Sequence, residues 1–185
     1  VTSTVRRLRH LVPALPMVAF LVSCGPSSTV SVESPRPEGE AAEACDAVLA
    51  ALPERVEDEE SREVPGDAEY VAAWGDPAIT LRCGVERPAA LTPGSETYRP
   101  TSDAIQVNDV SWLLEQQADG YRFTTTERTV YVEVEVPGAY APEVDALVDV
   151  AEAVHANVPY DPLWEQYYEG ETGADSGTEH DHGDH

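Results

Sequence analysis

The sequence predicts an α+β fold: a two-layer sandwich whose mostly antiparallel sheet carries an N-terminal and a C-terminal helix on one face. Two observations predict it. Apolar residues recur at helical spacing near each end of the central region, and between them apolar and polar residues alternate with period two. Strands joined by short turns and flanked by helices make layered α+β domains rather than interleaved βαβ units. Of 185 residues, roughly 130 remain for this one domain once a leader and polar tails are set aside.

The first helix starts at Ala41. Cys45, Val48, Leu49 and Leu52 fall at i, i+3, i+4 and i+7, one apolar stripe, and Pro53 ends it. Residues 54–67 are acidic and read as a loop or short edge segment. Trp74-Gly75-Asp76-Pro77 reads as a turn, with Trp74 a core plug beside it. Ile79, Leu81, Cys83 and Val85 then alternate with Thr80, Arg82 and Gly84, the pattern of a half-buried strand. Residues 86–103 carry Pro88, Pro93, Gly94 and Pro100 and read as a loop. Strands follow at 104–107 and 110–116, with Asn108-Asp109 as the turn between them; the sequence does not fix which face Trp112 takes. Asp119-Gly120 is a hairpin signal leading into Tyr121–Thr126. The clearest strand sets Val130, Val132, Val134 and Val136 against Tyr131, Glu133 and Glu135, and Pro137-Gly138 stops it. A last helix spans about 142–156, with Val144, Leu147, Val148, Ala151 and Val154 as its apolar stripe.

The N-terminus has three zones. Arg6, Arg7 and Arg9 form a basic head, and Leu11 to Val22 an apolar run. That run is shorter than the roughly 20 residues a membrane-spanning helix needs, so residues 1–23 read as a signal peptide. Leu21-Val22-Ser23-Cys24 resembles the bacterial lipobox, in which the cysteine thiol is diacylated and becomes the first residue after cleavage. Cys24 is therefore the expected lipid attachment site, with several CH₂ groups buried at ~0.8 kcal/mol each. The expected location is extracytoplasmic, anchored to the outer face of the bacterial cytoplasmic membrane. Arg6-Arg7 also invites twin-arginine export, although Leu8-Arg9-His10 continue that motif poorly. Val1 reads as an alternative start codon translated literally.

Residues 24–40 read as the lipidated cysteine and a flexible tether. Its sixteen Pro-, Ser- and Gly-rich positions reach on the order of 20 Å, which keeps the 41–168 domain close to its anchor. Residues 169–185 form a polar, acidic, histidine-containing tail.

There is no lysine; 11 arginines face 35 acids, for a net charge of −24. That balance excludes nucleic acid as a partner and disfavours an anionic lipid surface. Three cysteines are present. With Cys24 committed to lipid, Cys45 and Cys83 form an even extracytoplasmic pair. Cys45 lies on the helix stripe and Cys83 on the apolar face of its strand, so packing helix on sheet turns both sulfurs inward. A Cys45–Cys83 disulfide is expected, stabilising the fold by ~4 kcal/mol in the chain-entropy model.

The strings WGDPAITLRCGV (74–85), VNDVSW (107–112), TVYVEVEVP (129–137) and the helix cysteine in ACDAVLAALP (44–53) resemble the actinobacterial family called domain of unknown function 3515. The resemblance covers most of residues 41–157. It implies a secreted or lipid-anchored envelope protein and supplies no catalytic residues to carry over.

No GxSxG string and no phosphate loop is present. His155, late on the last helix, is the one histidine inside the expected domain and has no identifiable partner in sequence. Glu133 and Glu135 share a strand face with Arg82 and Arg122 across the sheet, which reads as a surface of Arg–Glu pairs. If the helices cover the other face, Arg82, Arg122 and Tyr131 form a candidate binding surface. His180, His182 and His185, among Glu179, Asp181 and Asp184, suit weak capture of a divalent metal in the tail. No cofactor is implied. The expected function is a non-enzymatic binding or assembly module for an envelope protein or cell-wall component. The alternative is an enzyme or enzyme accessory of wall metabolism.

Overall fold

The computed structural model describes residues 32–66, 68–99 and 101–166. Its first helix, α1 (Glu40–Ala51), begins after Gly39 with Glu40 and Glu43 in its first turn, where carboxylates meet the positive end of the helix dipole. Leu52, forced into extended backbone by the proline behind it, closes the helix.

Eight strands follow: β1 (Arg55–Val56), β2 (Glu59–Arg62), β3 (Val71–Trp74), β4 (Ile79–Val85), β5 (Ala104–Val107), β6 (Val110–Gln116), β7 (Tyr121–Thr125) and β8 (Tyr131–Val136). The second long helix, α2 (Asp145–Asn157), follows β8. All strands pair antiparallel, in the order β1-β2-β3-β4-β8-β7-β6-β5. The α+β architecture is the one expected. No helix among the described residues is long and apolar enough to cross a membrane.

Period-two alternation explains the layering. One face of the sheet carries Leu81, Cys83, Val132, Val134, Phe123 and Trp112, all at 0 % exposure, against Cys45 and Val48 of α1 and Leu147, Val150 and Val154 of α2. Trp112 therefore belongs to the core. Trp74 is a core plug as expected, and its Nε1–H donates to the Pro53 carbonyl at 3.2 Å, which satisfies the indole where the α1 helix ends. Cys45 and Cys83 are joined by a disulfide with Cα atoms 5.5 Å apart, linking α1 to β4 through the middle of this core.

Residues 54–67 hold the β1–β2 hairpin, whose β1 is a short edge strand, in line with the edge-segment reading. Three expectations need correction. First, β3 was not foreseen. Its VAAW sequence offers no polar alternation, and it becomes a strand by pairing with β4 from Val71↔Arg82 to Trp74↔Ile79. The stripe on the last helix is rotated. Val144 precedes α2 and is 37 % exposed, and Val148 is 52 % exposed, while Ala146, Leu147, Val150, Ala151, Ala153 and Val154 are buried. Apolar residues surround much of this helix, so periodicity alone admits either flank. The small Ala146 and Ala153 side chains permit the closer approach, and that side was buried. Third, the outer face of the sheet is only partly open. The β4–β5 connection must pass β8, β7 and β6 to reach the far edge, and Leu113 and Thr124 on the outer face are 2 % and 1 % exposed.

Candidate functional site

The outer face carries a ladder of charge across three strands. Register places Arg82 of β4 opposite Glu133 of β8, and Arg122 of β7 opposite Glu135. Arg82 Nε and Nη2 both donate to Glu133 Oε1, at 2.9 and 2.5 Å. Arg122 Nε and Nη2 both donate to Glu135 Oε1, at 3.0 and 2.6 Å. Arg122 also reaches back to Glu133 Oε2 at 3.4 Å, so Glu133 lies between two guanidinium groups. Burial acts to lower the Arg122 pKa, but the Glu135 hydrogen bond and the charges of Glu133, Glu135 and Glu115 outweigh it and hold the group above its usual value.

The two ends of the ladder differ in wetness. The Glu133 side chain is 8 % exposed, whereas that of Glu135 is 43 % exposed. Around Arg82 and Glu133 lies a cavity of about 930 Å³. Its far wall is the segment before α1: Glu33, Ser34, Pro35 and Arg36 line it, facing Glu69 and Glu86. Arg82 Nη1 donates to the Glu33 carbonyl at 3.3 Å, and Pro37 packs on Gly84. Gly84 sits at a register shift between Cys83 and Val85, with φ +85°. A bulge there bends the strand and leaves a side-chain-free patch for the proline to cover. The cavity thus presents cations from Arg36 and Arg82 and carboxylates from Glu33, Glu69 and Glu86 within one volume.

At the other end of the ladder a smaller depression, about 480 Å³, opens beside Asp103, Glu115, Gln117 and Tyr121.

Of the residues proposed from sequence, the fold brings Arg82 and Arg122 together through Glu133. Tyr131 shares their face, two residues along β8 from Glu133 and opposite Val85, and makes no hydrogen bond to either arginine. His155 has a partner that sequence did not reveal. Arg128, 3 % exposed, meets His155 Nδ1 at 3.1 Å. A guanidinium only donates, so Nδ1 is the accepting atom of this contact. Arg128 also donates to the Val158 carbonyl at 2.9 Å and lies 3.8 Å from the centroid of the Tyr160 ring, which ties the chain beyond α2 to the β7–β8 turn. Among the described residues no group of histidines, cysteines and carboxylates is placed to hold a metal ion. Cys24, His180, His182 and His185 lie outside the described residues, as do residues 24–31 of the expected tether; its last part, 32–39, has no regular structure and rests on the sheet as described above.

Sequence reasoning missed the cavity wall. Glu33 and Arg36 sit in a Pro/Ser-rich stretch that carries no periodic signal, and Glu69 and Glu86 belong to loops. The Pro37–Gly84 contact and the Arg82–Glu33 hydrogen bond reveal that these segments converge.

Fold and site together define an α+β sheet protein with a charge-laddered outer face and a cavity walled by its own N-terminal segment. The chain belongs to the family described as protein of unknown function (DUF3515), whose model matches residues 10–163. Comparison with curated proteins and with solved structures gives no match.

Proposed function

We propose that this protein is a lipid-anchored envelope module, held through Cys24 at the outer face of the bacterial cytoplasmic membrane, that binds an envelope protein or wall component without chemically altering it. One observation supports this reading most directly. The 930 Å³ cavity around the Arg82–Glu133 pair takes one wall from the segment that leads towards Cys24. Its volume is of the size that encloses small ligands or a loop of a partner. Its mixed charges suit a polar group bearing both signs. Arg82 and Glu133 are held rigid by each other, so they offer a preorganised floor rather than mobile side chains.

The test is photo-crosslinking in living cells, with the reactive residue placed at Arg36 or Glu86 on the rim and, as a control, at Glu152 on α2. The expected result is an adduct with one envelope protein or wall fragment at the rim positions only. The captured partner should have an unaltered mass. Equal adducts at Glu152 would defeat the site assignment, and a chemically processed partner would defeat the non-enzymatic reading.

A further inference from the structure

The two edges of the sheet are protected very differently. The β1 edge is two residues long, flanked by Glu54, Glu57 and Asp58, and Arg55 is ion-paired to Glu60 at 2.9 Å. Short length and charge are the usual means of keeping an edge from pairing with another chain. Within its own four residues the β5 edge has neither charge nor proline; acids stand only at its flanks, at Asp103 and Asp109. Its four residues, Ala104-Ile105-Gln106-Val107, form regular pairs with β6 and contain no bulge. This uncharged run occurs in a chain where 25 % of residues are charged.

Register identifies the unused backbone groups. Leu114 N–H donates to the Asp103 carbonyl at 2.9 Å, and Asp103 precedes the Ala104↔Leu113 pair. Hydrogen-bonded and non-hydrogen-bonded pairs alternate along an antiparallel ladder. Ile105 and Val107 therefore turn their backbone groups to β6, and Ala104 and Gln106 turn theirs away from the sheet. Neither has a backbone partner on that side among the described residues.

The edge also leads into a pocket. β6 runs beyond β5, so Glu115 and Gln116 pair only with Arg122 and Tyr121 of β7. The 480 Å³ depression opens at this step, lined by Asp103, Glu115, Gln116 and Gln117 together with one cation, Arg99. Asp109 follows at the other end of the strand, so acids stand near both ends of the edge.

We propose that the β5 edge is a docking site for an extended segment of another polypeptide, which adds a ninth strand beside Ala104 and Gln106 and places a lysine or arginine side chain in the depression beside Asp103 and Glu115. Backbone bonds supply the affinity in this mode and the pocket supplies the selectivity. Charge favours a basic foreign segment over a second copy. Each copy carries 35 acids against 11 arginines, and antiparallel self-pairing of β5 would run the Asp103 end of each strand alongside the Asp109 end of the other. This surface lies at the far end of the strand order from β1 and four strands from Arg82. It goes beyond the function proposed above and stands or falls independently of Cys24 and of the Arg82 cavity.

The test is amide hydrogen exchange on the full-length protein with two synthetic ten-residue probes of alternating valine and threonine, one flanked by lysines and the other by glutamates. With the lysine-flanked probe, the Ala104 and Gln106 amides should become protected, and added salt should reduce the protection. The glutamate-flanked probe should leave them unchanged. Gln106→Pro deletes one outward N–H, and proline is tolerated on an edge strand where that group faces solvent. Its melting temperature should hold while affinity for the lysine-flanked probe falls about tenfold. If the variant does not fold, amide protection in the unsubstituted chain decides alone. Three results would overturn the proposal: no protection by either probe, equal protection by both, or protection without a probe that rises with protein concentration, which would assign the edge to self-pairing.

Discussion

Pro37 lies directly on Gly84: a Cβ built at Gly84 would stand 2.7 Å from the proline Cβ and Cγ. The contact fastens the segment before α1 to the bulge in β4 and so forms the wall of the Arg82 cavity. Gly84→Ala should act in two ways. The left-handed backbone, φ +85°, costs a side-chain-bearing residue about 1–2 kcal/mol, and the new methyl displaces Pro37. Chemical denaturation should show that loss, and a glutamate-specific protease should cut after Glu33 or Glu38 faster than in the unsubstituted protein. Unchanged cleavage would mean that Pro37 does not hold the segment in place.

The two carboxylates of the ladder should respond unequally to amide substitution. Glu133→Gln leaves Arg82 and Arg122 facing each other in a site that is mostly dry, and charged hydrogen bonds of this kind contribute about 1.5–3 kcal/mol. Glu135→Gln removes a pair whose side chains are 34 % and 43 % exposed, worth about 0.2–1 kcal/mol. Urea unfolding of the two variants checks the order. Equal losses would show that burial does not set the value of these pairs.

The Cys45–Cys83 disulfide spans 38 residues of sequence. Replacing both cysteines by alanine should cost about 2–5 kcal/mol, the usual effect of losing a native disulfide from a small secreted domain. Peptide mapping without reductant should recover one linked pair. Two free thiols in exported protein would contradict the bond.

Glu57 lies beside the start of α2, and its backbone N–H donates to Asp149 Oδ2 at 2.9 Å. Burial first, then the charges of Asp145, Asp149 and Asp58, raise its pKa above the ordinary 4.5. The ionised form therefore opposes folding. That penalty is fully present above the folded pKa and is relieved as pH falls through it towards the unfolded value. Glu57→Gln should raise the melting temperature at neutral pH, with the gain shrinking as pH falls towards 4.5 and absent below it. A gain that is independent of pH would assign the effect to packing instead of charge.

Anchoring through Cys24 predicts a simple labelling result. Cells fed a clickable fatty acid should label the protein, Cys24→Ala should abolish the label, and the variant should leave the membrane fraction. Labelling that survives the substitution would place the lipid elsewhere or remove it from the account.

Sequence by itself determined the sheet's two-sidedness, the helices at either end and the cysteine pair. Each of these rests on local periodicity: alternation sends Cys83 and Val132 inward and Arg82 and Glu133 outward wherever the strands come to lie. That Arg82, Arg122, Glu133 and Glu135 share one face was legible for the same reason; which arginine meets which carboxylate was not. Strand order was not, because hydrogen-bonded neighbours such as β4 and β8 are far apart in sequence and no local pattern encodes that pairing. Tertiary structure alone made VAAW a strand by setting it beside β4, chose the buried side of α2 through the close approach of Ala146 and Ala153, and sent Trp112 to the core. It also laid Pro37 on Gly84, giving the cavity its second wall. That contact depends on a missing side chain and a bulge in β4 meeting a proline 47 residues earlier in the chain, and only the folded chain brings the two together.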